Sequence, residues 1–197
     1  MISILDFEDS FTFNIASEFK LAAPGTNIEV INLENIKNFL DNAINTDERR
    51  VIVLGPGPGN PDQHRSLHPL IKTLLHKENI FIFGVCLGHQ ILGQIFGHEI
   101  KRCKSPIHGE CREFLIKPEI SRILKIDQNI KAQCYNSLAV VESEVSSREN
   151  NFRYKLEQNN EVFLFLGPRL LSYQFHPESI GTNYRSSFLR YPLSFLL

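Results

Sequence analysis

The chain has 197 residues, 42% apolar and 22% charged, with a formal net charge of −1, the balance of an ordinary globular protein able to bury a core without crosslinks. Near-neutral charge with no basic cluster argues against nucleic acid or an anionic membrane as a partner. No apolar run approaches the roughly 20 residues of a membrane helix, and Asp6, Glu8 and Asp9 interrupt the amino terminus too early for a secretory signal.

Ile2 to Leu5 reads as a strand, and Ser10 as the N-cap of a helix carrying Phe11, Ile15, Phe19 and Leu21. Asn27 to Leu33 is rich in β-formers, and Glu34 to Ala43 is a short helix. Val51 to Leu54 is a buried strand, followed by the punctuated run GPGPGNP and a helix from about His64 to Lys77. Ile80 to Phe83 is a further apolar strand, and Leu87 to Phe96 a further helix. Strands apolar throughout are buried on both faces, so the first half predicts an α/β fold with a mostly parallel central sheet flanked by helices. Right-handed crossovers then bring the segments after Asp6, Leu54 and Val85 to one sheet edge, where ligands bind.

The second half reads as added antiparallel strands: His98–Lys104, Cys111–Lys117, Gln133–Val141, Phe152–Gln158, Glu161–Leu166 and Leu170–Phe175. A helix from about Tyr184 to Phe195 closes the chain, and its apolar tail, Leu193 to Leu197, is expected to dock. With no repeat, linker or low-complexity tract, one domain over residues 1–197 is expected.

Four cysteines without a Cys-x-x-Cys pair do not make a disulfide framework, so the reducing cytosol is the expected compartment. Cys86 and His89 have a metal-like spacing, but no second pair completes a site and no metal is expected. Cys103, Cys111 and Cys134 read as space-fillers. Cys86 differs in its frame, GVCLG, the thiol version of the Gly-x-Ser-x-Gly nucleophile elbow. A strand ending at Gly84 and a helix starting near Leu87 force a sharp turn that exposes the thiol. The helix amino terminus favours a thiolate there, and the Leu87 amide is half of an oxyanion hole.

A thiol nucleophile needs a base, and the base an orienting group. In YQFHPES, His176 and Glu178 are two apart, which on extended backbone puts both on one face, although His-Pro-Glu taken alone also reads as a surface turn. Pro177 pushes His176 toward extended geometry. His64, His68 and His76 fit a solvated helix face, and His89, on the helix that follows Cys86, is the competing base. In GPGPGNP, Gly57 offers a backbone amide with no side chain in the way, a second oxyanion donor. The run lacks the Lys-Ser/Thr ending of a nucleotide loop.

Together LGPGPGNP, GVCLGHQ and YQFHPES resemble the class I (triad) glutamine amidotransferases, nearest the glutaminase component of anthranilate and aminodeoxychorismate synthases. LDFEDSFTFN, SPIHGE and YNSLAV extend the likeness over almost the whole chain. The resemblance implies a flavodoxin-like fold, with Cys86 as nucleophile, His176 as base and Glu178 as its orienting group. Gly57 and Leu87 would form the oxyanion hole. Gly57, Pro58, Gly59, Gln90, Ser137 and Leu138 would grip L-glutamine. It also implies a synthase subunit holding chorismate and Mg²⁺, with no cofactor on this chain. Four features depart from the family pattern: Asn136 where His is usual, Glu8 for an aromatic residue, Ser172 for a glycine, and EVFLFLGPRL without its usual basic-histidine stretch. A γ-glutamyl or peptide hydrolase on the same fold, and a non-catalytic regulatory subunit, are the competing readings.

Overall fold

The computed structural model describes residues 1–143 and 152–197. The first half alternates β1 (Ile2–Asp6), α1 (Phe11–Ala22), β2 (Ile28–Asn32), α2 (Ile36–Ile44), β3 (Arg50–Leu54), α3 (His68–Leu75), β4 (Ile80–Val85) and α4 (Leu87–Ile95). The second half contributes β5 (Glu99–Arg102), β6 (Glu110–Leu115), α5 (Pro118–Leu124), β7 (Asn129–Cys134), β8 (Leu138–Val141), β9 (Tyr154–Gln158), β10 (Glu161–Gly167), β11 (Leu170–Tyr173) and α6 (Arg185–Ser194).

The main sheet runs β2-β1-β3-β4-β11-β10-β8-β5, with β9 also paired to β10. The pairings from β2 through β11 are parallel, and those from β11 outward antiparallel. The α/β architecture read from the apolar strands is therefore the one observed. Alternation along the strands divides the core. Ile2, Ile4, Val51, Val53, Phe81 and Phe83 face one layer with Phe19 of α1 and Phe188 of α6. Leu5, Ile52, Leu54 and Ile82 face the other, with Leu40, Ile71 and Ile91 of α2, α3 and α4.

Several expected boundaries shift for local reasons. Ser10 is already helical and makes no side-chain cap. Asp9 caps instead, its carboxylate accepting from the Phe11 amide and its carbonyl from the Thr12 amide. The helix expected from His64 begins earlier as a 3₁₀ turn, Pro61–Leu67, under a reciprocal Asn60–Gln63 capping box. Gln133–Val141 is not one strand. Tyr135 to Ser137 carry the chain out of β7, which pairs with β6 in a separate two-stranded ribbon, and into β8 of the main sheet. α5, with Pro118 at its first turn and Ile120 and Leu124 buried, was not anticipated. Of the apolar tail, Leu193 is buried but Leu197 is fully exposed, so docking stops short of the terminus. Among the described residues no helix is long and apolar enough to cross a membrane.

Candidate active site

The three loops meet at the carboxyl edge of the parallel strands. Gly55 donates its amide to the Leu5 carbonyl at 3.1 Å, and Gly88 donates to the Gly55 carbonyl at 3.2 Å. At this junction glycine is obligatory. A methyl group on Gly88 would lie 2.1 Å from the Leu54 carbonyl oxygen, and one on Gly57 2.5 Å from the Leu87 side chain and 2.6 Å from Phe7. The tight approach leaves Cys86 between β4 and α4 at φ 51°, ψ −101°. Such strain in a non-glycine residue persists only where the surroundings enforce it, and it marks functional turns. Here the Cys86 amide donates to the Tyr173 carbonyl at 2.8 Å, and its carbonyl accepts from the Gln90 amide, which fixes both ends of the elbow. Leu87 opens α4, so its amide is one of the first-turn donors without an intrahelical acceptor.

His176 follows β11 and is held by the ribbon. Its amide donates to the Gln133 carbonyl at 2.9 Å, and its carbonyl accepts from the Thr182 hydroxyl at 2.7 Å. Gln133 uses all four of its polar groups here: its amide donates to Thr182 Oγ1, its side-chain oxygen accepts from Gly181, and its side-chain nitrogen donates to the Gly109 carbonyl. The imidazole lies against Phe11 and Tyr135, with ring centroids 5.0 and 4.8 Å away. Nδ1 meets Glu178 Oε1 at 2.6 Å. Both side chains are buried, but the backbone is not extended as the spacing suggested: Pro177 and Glu178 form a turn, closed by the Ser179 amide donating to the His176 carbonyl at 3.3 Å, and the turn brings the carboxylate to the ring.

Burial by itself disfavours a charged imidazole, but the neighbouring Cys86 sulfur and the Glu178 carboxylate outweigh it, and the His176 pKa is held well above its usual range. With Nδ1 engaged by Glu178, Nε2 is the nitrogen left to face the sulfur. It is buried and makes no hydrogen bond of good geometry, as is common in catalytic contacts that tighten only with substrate bound. The structure thus brings the cysteine, histidine and glutamate together from positions far apart in sequence.

The competing base is excluded by its contacts. His89 is fully buried, Nε2 at 2.8 Å from the Val162 carbonyl and Nδ1 at 2.9 Å from Ser172 Oγ, with its ring stacked on Phe165. Desolvation pushes its pKa down to about 3, so it stays neutral. His64 and His68 are half-buried rather than solvated, and burial lowers both.

The remaining predicted residues fall into two groups. Gly57 adjoins Leu87, while Pro58 and Gly59 line a cavity of about 640 Å³ with Glu8, Lys37, Gln63 and His64. Gln90 reaches the Leu138 carbonyl at 3.0 Å from inside α4. Asn136 donates to the same carbonyl at 3.0 Å, so the residue standing where His is usual buttresses the Ser137–Leu138 turn. Ser137 itself is exposed, and its carbonyl accepts from the Cys103 amide. Sequence reasoning missed Phe11 and Tyr135 as walls for the imidazole, Gln133 and Thr182 as clamps on its backbone, and Gln174 beside the sulfur. Phe11 had a signal, lying within the acidic opening motif. Gln133 and Thr182 had none, because their role depends on a cross-sheet pairing.

The family model for "Glutamine amidotransferase class-I" matches residues 3–193. The chain belongs to that family. Anthranilate synthase component 2 of Haemophilus influenzae is 30% identical over 100% of this chain and 97% of its own length. The protein of the same name from Helicobacter pylori is 28% identical over 99% and 97%. Among solved structures, the glutaminase domain of Trypanosoma brucei CTPS, with bound acivicin, superposes with a TM-score of 0.70 at 15% identity, covering 98% of this chain and 92% of its own. A glutamine amidotransferase from Thermotoga maritima gives 0.63 at 15% identity, covering 90% and 75%. At such identities these two structures speak to fold alone. The likeness in the site motifs and the full-length relatives make the protein a glutamine amidotransferase enzyme.

Proposed function

We propose that this chain is the glutaminase component of a chorismate-aminating synthase, hydrolysing L-glutamine and passing ammonia to the synthase partner. The observation that carries the reading is the strained Cys86 elbow standing against a His176 whose other nitrogen is bonded to Glu178.

In this mechanism His176 takes the thiol proton, and an imidazole held above its usual range is a stronger base for that step. Cys86 attacks the side-chain amide carbon of glutamine. The carbonyl oxygen becomes an oxyanion facing the Gly57 and Leu87 amides, a pair of donors of which each typically lowers the barrier by about 2.7–4 kcal/mol. His176 returns its proton to the departing ammonia, leaving a glutamyl thioester. It then deprotonates a water that attacks the thioester, and glutamate leaves as the thiol is restored. Glu178 keeps the imidazole in one tautomer throughout. Pro58, Gly59, Gln90, Ser137 and Leu138 line the approach for the amino-acid end of glutamine.

These steps call for no cofactor on this chain, and we assign Mg²⁺ to the chorismate site of the synthase. The names of the relatives favour anthranilate as the product. Four free cysteines fit the reducing cytosol.

The test is reconstitution with the co-purified synthase, chorismate, and either glutamine or ammonia. Cys86→Ala should abolish glutamine-dependent amination and leave ammonia-dependent amination intact. Equal loss of both would refute the division of labour. Faster release of glutamate from γ-glutamyl peptides than from glutamine would favour the hydrolase reading instead.

A further inference from the structure

Gln174 has no part in the steps above, yet it touches the atom on which they turn. β11 runs parallel to β4 with Tyr173 opposite Val85, so the next residues along, Gln174 and Cys86, are brought side by side. The Gln174 side-chain nitrogen donates to Cys86 Sγ at 3.7 Å. Its side-chain oxygen accepts from Gln90 Nε2 at 3.2 Å, and the same Gln90 nitrogen donates to the Leu138 carbonyl. Gln174 lies two residues before His176, in the bend that follows β11.

The residue is fully buried. A primary amide in that position is costly unless bonded. Among the described residues its side-chain bonds go to Cys86 and Gln90, and none to the surrounding scaffold. The amide is thus bonded at both ends, its nitrogen to the sulfur and its oxygen to Gln90.

We propose that Gln174 is a further catalytic residue: an N–H donor that supports the Cys86 thiolate and is aimed by Gln90. A donor to sulfur favours the ionised form over the thiol, because hydrogen bonds to an ionised acceptor are the stronger ones. The bond strengthens as His176 removes the proton, weakens when sulfur is acylated, and re-forms when water releases glutamate. Because Gln90 holds the amide, a ligand contact at Gln90 is felt at the nucleophile. That second part rests on the glutaminase reading; the donor role does not.

The test measures carboxamidomethylation of Cys86 by iodoacetamide against pH, without glutamine, with the modified peptide read by mass spectrometry. Gln174→Met removes the donor at similar volume, and Gln174→Glu keeps the shape but presents an acceptor. The alkylation midpoint should rise by about one pH unit in Gln174→Met, equivalent to a tenfold change in the ionisation equilibrium, and further in Gln174→Glu. Gln90→Leu should raise it less. The kcat for glutamine should fall about tenfold in Gln174→Met with KM little changed. A Gln174→Met protein with native circular dichroism and an unmoved midpoint would overturn the proposal, as would a midpoint in folded Gln174→Glu no higher than in Gln174→Met. If Gln174→Glu does not fold, Gln174→Met decides alone. If the wild type fails to turn over glutamine, the glutaminase reading falls while the midpoint still reports on the donor.

Discussion

His89 should make folding acid-sensitive by a calculable amount. Its neutral ring is fully satisfied, accepting from the Ser172 hydroxyl and donating to the Val162 carbonyl, and it is closed off from solvent. The pKa falls from 6.5 unfolded to about 3 folded. Below the unfolded value the denatured chain binds a proton that the native one refuses, so stability is full above pH 6.5 and declines toward the folded pKa. Each pH unit in that window costs about 1.36 kcal/mol, so lowering the pH from 6.5 to about 4.5 removes about 2.7 kcal/mol. His176 leaves this window flat. Its raised pKa gives stability that is complete below 6.5 and lost only as pH rises above that. Urea unfolding at three pH values, wild type against His89→Gln, isolates the residue because the other histidines are common to both. The wild type should lose about 2.7 kcal/mol more than the variant across the window. Parallel loss in the two proteins would refute the account of a desolvated neutral ring.

Three further outcomes follow from the same contacts. Ser172→Ala strands the His89 Nδ1 acceptor in the core and should cost about 1–3 kcal/mol in urea unfolding, although the family usually carries glycine there. Gly88→Ala drives a methyl group to 2.1 Å from the Leu54 carbonyl oxygen and should cost about 3 kcal/mol or more, whereas Gly25→Ala, with nothing within 4 Å, should change the melting temperature little; equal effects would discredit the close packing at the elbow. Glu178→Gln should lower kcat for glutamine by about 10²–10⁴-fold with a small change in KM, since its carboxylate orients a base rather than binding substrate.

The parallel half of the sheet and the cysteine elbow were legible because they rest on local signals: unbroken apolar strands, paired glycines around a thiol, and a proline fixing the residue before it. The separation of β7 from β8 was not. Polar–apolar alternation runs from Ile130 to Cys134 and breaks at Tyr135-Asn136-Ser137, a signal that the reading of one continuous strand passed over, though it does not say that the chain changes sheets there. α5 left a signal in Pro118 followed by Ile120 and Leu124, too short to stand out from its β-rich surroundings. Ser10 and Asp9 compete for one cap, and the choice depends on where the Asp6 carboxylate turns the loop, through the Asp9 amide and the Thr12 hydroxyl. The contacts of Gln133 and Gln174 are set by strand register across the structure, which the sequence does not spell out.

The sulfur and the imidazole share a mount. Tyr173 at the end of β11 accepts from the Cys86 amide, and three residues further on His176 is tied to Gln133 at the root of the two-stranded ribbon. A displacement of β11 would therefore carry both groups with it, so the pair behaves as one fixture and its two competences should be lost together.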